Sequence, residues 1–179
     1  MLPNNNMNSI TLTLLTALFC ISCYGQKVLI SPDVSASLPK NTKILTADGV
    51  QKLAPDPHSV IKRIKNTGNI YELGGLLIYM NSGKATVAKD HLNVLSEGQK
   101  ELIKLASPSF YHSDMKSYPT FDALVVCYEI ANQQQGQFSF HCINKKNSEI
   151  LVGLIEYPIR ERTKAKRLLE DILSTLEMK

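Results

Sequence analysis

The sequence predicts an α+β domain: an antiparallel sheet with helices packed on it and a C-terminal helix closing one face. Residues 121–131, 137–144 and 148–157 are apolar runs with period-2 character, separated by short polar turns, as in a three-strand meander. Residues 160–178 place Ala165, Leu168, Leu169, Ile172, Leu173 and Leu176 on one side of a helix at i, i+3, i+4 spacing. The chain of 179 residues, 44% hydrophobic and 20% charged, has single-domain length and ordinary globular makeup. Successive strands closed by one helix favour a sheet with its helices on the faces. No Gly-X-Y period, low-complexity tract or repeat of about 30–40 residues is present, which excludes collagen, solenoids and propellers. A net charge of +4 is too mild for a dedicated nucleic-acid binder.

The first element is an export signal. Met1 to Gln26 contains no charged side chain, and Ile10–Ser22 is an apolar run of thirteen residues. A bilayer span needs about 20 such residues. Thirteen fits the apolar core of a signal peptide, roughly 7–15 residues long. Cys23 and Gly25 then supply the small residues of a cleavage site before Gln26. Residues 1–25 are therefore expected to be a cleaved secretory signal, although the N-terminal stretch lacks Lys and Arg. Cys20-Ile21-Ser22-Cys23 offers a second reading, a lipoprotein site with lipidation at Cys23, in which Cys20 stands where Leu is usual. The C-x-x-C spacing of Cys20 and Cys23 also occurs in redox and zinc motifs, but inside an apolar signal it reads as small apolar residues.

Residues 26–41, with Pro32 and Pro39, form an extended lead-in, and 42–179 a single α+β domain. Thr46 is placed to cap a short helix over 47–54. Asp56-Pro57 marks a second helix through Val60, Ile61 and Ile64 to Lys65, stopped at 66–69. Ile70–Met80 reads as one strand kinked at Gly74-Gly75. Asn81-Ser82-Gly83 reads as a turn, with a return strand over 84–88. Ser96 and Gln99 match a capping box opening a helix that ends before Pro108. Ser109–Thr120 reads as a polar-aromatic loop.

Removal of the signal leaves Cys127 and Cys142. They are equidistant from the Gln134/Gln135 midpoint, so a hairpin centred there sets them opposite each other and permits a disulfide. The alternative is two buried free thiols packing as small apolar groups. In the closing helix, Lys164, Lys166 and Arg167 fall on the wet side. Burying its six apolar residues contributes on the order of 10 kcal/mol before entropy.

The meander of 121–157 followed by AKRLLEDILSTL resembles the C-terminal half of PsbP-like domains. The resemblance covers residues 121–176 and is architectural. It implies a small α/β/α sandwich of a family made largely of non-enzymatic assembly or binding factors.

Catalytic patterns are missing. His58, His91, His112 and His141 form neither H-E-x-x-H nor a Cys/His zinc spacing, so neither a metal nor a cofactor is expected. Tyr111-His112-Ser113-Asp114 holds the residue types of a hydrolase triad, but triads are assembled from distant segments. The best binding candidate is the 109–120 loop, through Phe110, Tyr111, His112, Asp114 and Tyr118, a mixture found at recognition surfaces. The bland alternative makes Phe110 and Phe121 core anchors. The expectation is an exported envelope protein, periplasmic or secreted. It would bind an envelope protein or small ligand, not nucleic acid, and would meet the membrane only through a lipid on Cys23. The alternative is a small envelope hydrolase using His112 or His141.

Overall fold

The computed structural model describes residues 25–53, 58–64, 69–88, 90–146 and 149–179. Residues 1–24, which hold all of the expected signal but Gly25 and include Cys20 and Cys23, lie outside the described residues. Strands β1 (Gln26–Ser31) and β2 (Val34–Leu38) form a hairpin, and β10 (Glu177–Met178) adds to the far side of β2. The lead-in is thus extended, and Val34, Ala36 and Leu38 of β2 are buried in the core. The remaining strands are β3 (Lys43–Leu45), β4 (Asn69–Leu73), β5 (Leu76–Lys84), β6 (Phe110–Ser117), β7 (Phe121–Ile130), β8 (Gln135–Asn144) and β9 (Glu149–Pro158). They make a seven-stranded antiparallel sheet in the order β3-β4-β5-β9-β8-β7-β6. The helices are α1 (Ala47–Gln51), α2 (His91–Leu105) and α3 (Arg162–Thr175).

One face of the large sheet carries the main core. Phe121, Ala123, Val125 and Cys127 of β7 share it with Phe138, Phe140 and Cys142 of β8 and Leu151, Ile155 and Tyr157 of β9. α3 and the small sheet cover this face. Ala165, Leu168, Leu169, Ile172 and Leu173 are buried along α3, and Leu176 just beyond it, while Lys164, Lys166 and Arg167 stay exposed. On the opposite face α2 sets Leu92 over Leu124 and Val126, with Leu95 and Ile103 beside them. The result is the expected α+β architecture, with the three-strand meander β7-β8-β9 and a closing helix.

Several elements differ from the sequence reading, each for a local reason. Gly74 and Gly75 both take positive φ (53° and 87°), so the 70–80 run is not one kinked strand but a two-residue hairpin between β4 and β5. β5 then runs through Asn81-Ser82-Gly83 to Lys84, because β9 pairs with it along that whole length. α2 begins at His91, five residues before the supposed capping box. Ser96 bonds Ser113 across to β6 instead of capping. Asp56-Pro57 lies outside the described residues, and Ile61–Arg63 is a single 3-10 turn. There the Val60 and Ile61 amides donate to the Glu156 carboxylate at 2.6 and 2.9 Å. Thr46 does cap α1, its hydroxyl accepting from Gly49 N at 3.1 Å.

Of the two readings of Cys127 and Cys142, the possible disulfide is not formed and the alternative holds: both are buried free thiols. Ile130 faces Gln135 across a four-residue turn, with Ala131–Gln133 as a 3-10 turn and Gln134 left-handed at φ 53°. The loop therefore centres two residues earlier than the Gln-Gly signal suggested. Cys127 faces Phe138, and Cys142 faces Ala123. Four residues of strand separate the two positions, about 13 Å at roughly 3.3 Å per residue. A disulfide needs Cα atoms about 4.4–6.8 Å apart.

Candidate functional site

Residues 110–117 are the edge strand β6 rather than a loop. The alternation F-Y-H-S-D-M-K-S is too polar to announce a strand, but pairing with β7 along all eight residues fixes it. That pairing divides the predicted recognition residues between two faces. His112 pairs with Cys127 and Asp114 with Val125, so Phe110, His112 and Asp114 stand on the α3 side. Tyr111 stands on the α2 side, packed against the Leu124–Val126 cluster, its hydroxyl buried with no hydrogen-bond partner among the described residues. Tyr118 lies just past the strand and stacks on Phe121 with centroids 4.5 Å apart. His112 and Asp114 are exposed. At the opposite margin of the sheet β3 has three residues, so β6 is the long open edge.

Behind Phe110 lies a polar cluster that the sequence pattern does not reveal. Glu129 is 2% exposed and receives the Arg162 guanidinium in a two-pronged ion pair. The Tyr157 hydroxyl donates to Glu129 Oε1 at 3.2 Å and sits 3.2 Å from Cys127 Sγ. Arg162 also lies over the Phe110 ring, 4.4 Å from its centroid. Burial pushes the Cys127 thiol and the Tyr157 phenol up from their ordinary ranges, so both stay protonated at neutral pH. The cluster ties the start of α3 to β6, β7 and β9. A protonated, buried thiol beside a phenol is a packing arrangement, not an activated nucleophile. The signal available in sequence was a lone Glu in an apolar strand, whose partner lies 33 residues away.

His141 stands on the α2 face, its Nε2 2.8 Å from Gln99 Nε2. Gln99 Oε1 accepts from Ser139 Oγ at 3.4 Å. Burial lowers the imidazole pKa to about 4, and His91 adds to the effect, so the ring is neutral at physiological pH. His112 and His141, the two histidines singled out in the sequence, thus lie on opposite faces of the sheet. Among the described residues no group of three or more His, Cys, Asp or Glu side chains could hold a metal ion. Among them, too, no helix is long and apolar enough to cross a membrane.

Comparison with solved structures places this architecture. The solution structure of cyanobacterial PsbP (CyanoP) from Synechocystis sp. PCC 6803 superposes with a TM-score of 0.54 at 7% identity, covering 88% of this chain and 94% of that one. The fold is PsbP-like. The resemblance read from residues 121–176 therefore extends over most of the chain. The Saccharomyces cerevisiae Ran-binding protein Mog1p superposes with a TM-score of 0.50 at 11% identity, covering 88% of this chain and 96% of that one. No protein-family model matches the chain, and no curated protein matches it in sequence.

Proposed function

We propose that this chain is an exported cell-envelope domain that binds a partner polypeptide along the open β6 edge rather than transforming a substrate. The observation behind this reading is β6 itself: eight residues at the margin of the large sheet, whose outward backbone groups are a template for an added strand. Phe110, Tyr111, His112, Asp114 and Tyr118 flank that edge with aromatic and charged chemistry on both faces, which gives an added strand its specificity. Structural likeness to a Ran-binding protein suits a binding role. The uncharged N-terminus with its thirteen-residue apolar run supports export.

Proline scanning tests the edge. Of two successive residues on an edge strand, one directs its N–H to the neighbouring strand and the other to solvent. Of His112→Pro and Ser113→Pro, the variant that keeps its melting temperature is the one that blocks the outer edge. A photo-crosslinking residue at position 114 is expected to trap a polypeptide in the native envelope, and the stable proline variant to abolish the adduct. Equal trapping from position 166, on the outer side of α3, would overturn the assignment. Intact mass tests export: a chain starting at Gln26, or a lipidated one starting at Cys23, is expected. A full-length chain retained in the cytoplasm would refute it.

A further inference from the structure

A cleft of about 400 Å³ opens on the sheet face opposite α3, at the β3 end, far from β6. Its volume lies in the range of small-molecule sites, about 300–1,000 Å³. Leu77 of β5, Leu45 of β3, Leu53 after α1 and Pro158 at the end of β9 line it, all half-buried. These apolar groups face the cavity instead of a neighbouring core. Glu72 Oε1 accepts the Gly75 amide at 2.9 Å. Glu156 accepts the Ser59 hydroxyl at 2.5 Å together with the Val60 and Ile61 amides. Both carboxylates therefore already hold donors of the chain's own backbone. Lys43, its side chain 76% exposed, makes a long ion pair with Glu72 Oε2 at 3.9 Å, and Lys62 also lines the wall.

We propose that this cleft binds a small amphipathic carboxylic acid, its apolar body on the leucines and its carboxylate held by Lys43 and Lys62. An ammonium headgroup is disfavoured there, because it would meet two lysines while Glu156 and Glu72 Oε1 already hold donors of the chain itself. A headgroup alone is insufficient, because most of the lining is apolar and contributes through burial. The site is independent of β6: it lies on the opposite margin of the sheet and shares no residue with it.

Calorimetric titration of the purified mature chain with decanoate, decylamine and acetate tests the proposal. Decanoate is expected to bind saturably at one site, with decylamine and acetate at least about tenfold weaker. Lys43→Met combined with Lys62→Met is expected to weaken decanoate at least about tenfold, the loss of a charge-assisted hydrogen bond, with the melting temperature kept. Leu77→Gln should weaken it too; where that variant loses stability, acetate against decanoate isolates the apolar contribution. The stable β6 proline variant should leave decanoate binding unchanged, so failure here and failure of the polypeptide-docking reading are distinguishable. Absence of saturable decanoate binding, equal binding of decylamine, or full affinity in the double lysine variant would overturn the assignment.

Discussion

Adding one methyl group at Gly153 should destabilise this fold more than most exposed substitutions. Gly153 faces Phe140 across the β8–β9 ladder, and a Cβ at that glycine would overlap three atoms of the ring. Phe140 is fully buried, so its ring has no solvent-side space to move into. Gly153 does not have the positive φ that makes alanine strained, so backbone conformation is not the obstacle. Alanine would even gain about 0.4–1 kcal/mol by restricting the unfolded chain. Overpacking a tight core costs about 1–3 kcal/mol. The net is a loss of roughly 1–2 kcal/mol, or a fall in melting temperature of about 2–8 °C for a domain of this size. Urea denaturation of Gly153→Ala, Phe140→Leu and the double variant separates the causes. If ring overlap is responsible, the double variant loses less than the two single losses combined, by about 1 kcal/mol. Wild-type stability in Gly153→Ala, or strict additivity in the cycle, would refute the reasoning. The same ladder repeats the device at Gly136, which a Cβ would drive into the Tyr157 ring.

Gly98 in α2 is the contrasting case: nothing lies within 4 Å of where an added methyl would sit, so Gly98→Ala should stabilise by about 0.5–1 kcal/mol in the same denaturation assay. Ile172→Ala, at a fully buried position of α3, should cost about 2–5 kcal/mol and lower the melting temperature plainly. Arg162→Met leaves the Glu129 carboxylate buried and uncompensated; because Arg162 is 43% exposed, about 2–3 kcal/mol is expected, below the usual loss for a fully buried pair. For His141 the folded pKa is depressed from 6.5 to about 4. Between those values the unfolded chain binds a proton that the folded chain refuses, so stability falls as pH drops through this window, by up to about 3 kcal/mol. His141→Gln should remove that part of the pH slope of the melting temperature, and an unchanged slope would count against burial of the ring.

What could be read from the sequence was whatever repeats locally. The α3 stripe announced itself because six apolar residues recur at helical spacing, and all six are buried. The β7–β8–β9 meander announced itself through alternation, and Thr46 through cap chemistry. The misses share a cause: a local signal with two solutions, chosen between by distant residues. Asn81-Ser82-Gly83 suits a turn or a strand, and the pairing with β9 decides. Ser96 and Gln99 suit a cap, but β6 and β8 supply them other partners. Gln134 is the left-handed residue although Gly136 is the obvious candidate, and that choice shifts the register that would have joined the cysteines. The 109–120 segment reads as a loop in the sequence and is largely strand β6, since the edge of a sheet exists only once its neighbour has formed. Glu129 and Glu156 were invisible as anchors because Arg162 and Ser59 meet them only in the folded chain.

The small sheet makes completion of the fold depend on Glu177 and Met178. β2 is its central strand only because Glu177 and Met178 pair with Val34 and Ser35, a contact between residues 142 positions apart. Asn144 reinforces it by donating to the Met178 carbonyl at 3.0 Å, and the Lys179 amide by donating to Asp33 at 2.9 Å. Closing so long a loop is entropically late in any folding sequence. Until then β2 presents a bare margin of its own. A chain emerging N-terminus first therefore carries an unfinished, adhesive strand until Glu177 and Met178 have been made, and deleting that pair would return it to that state.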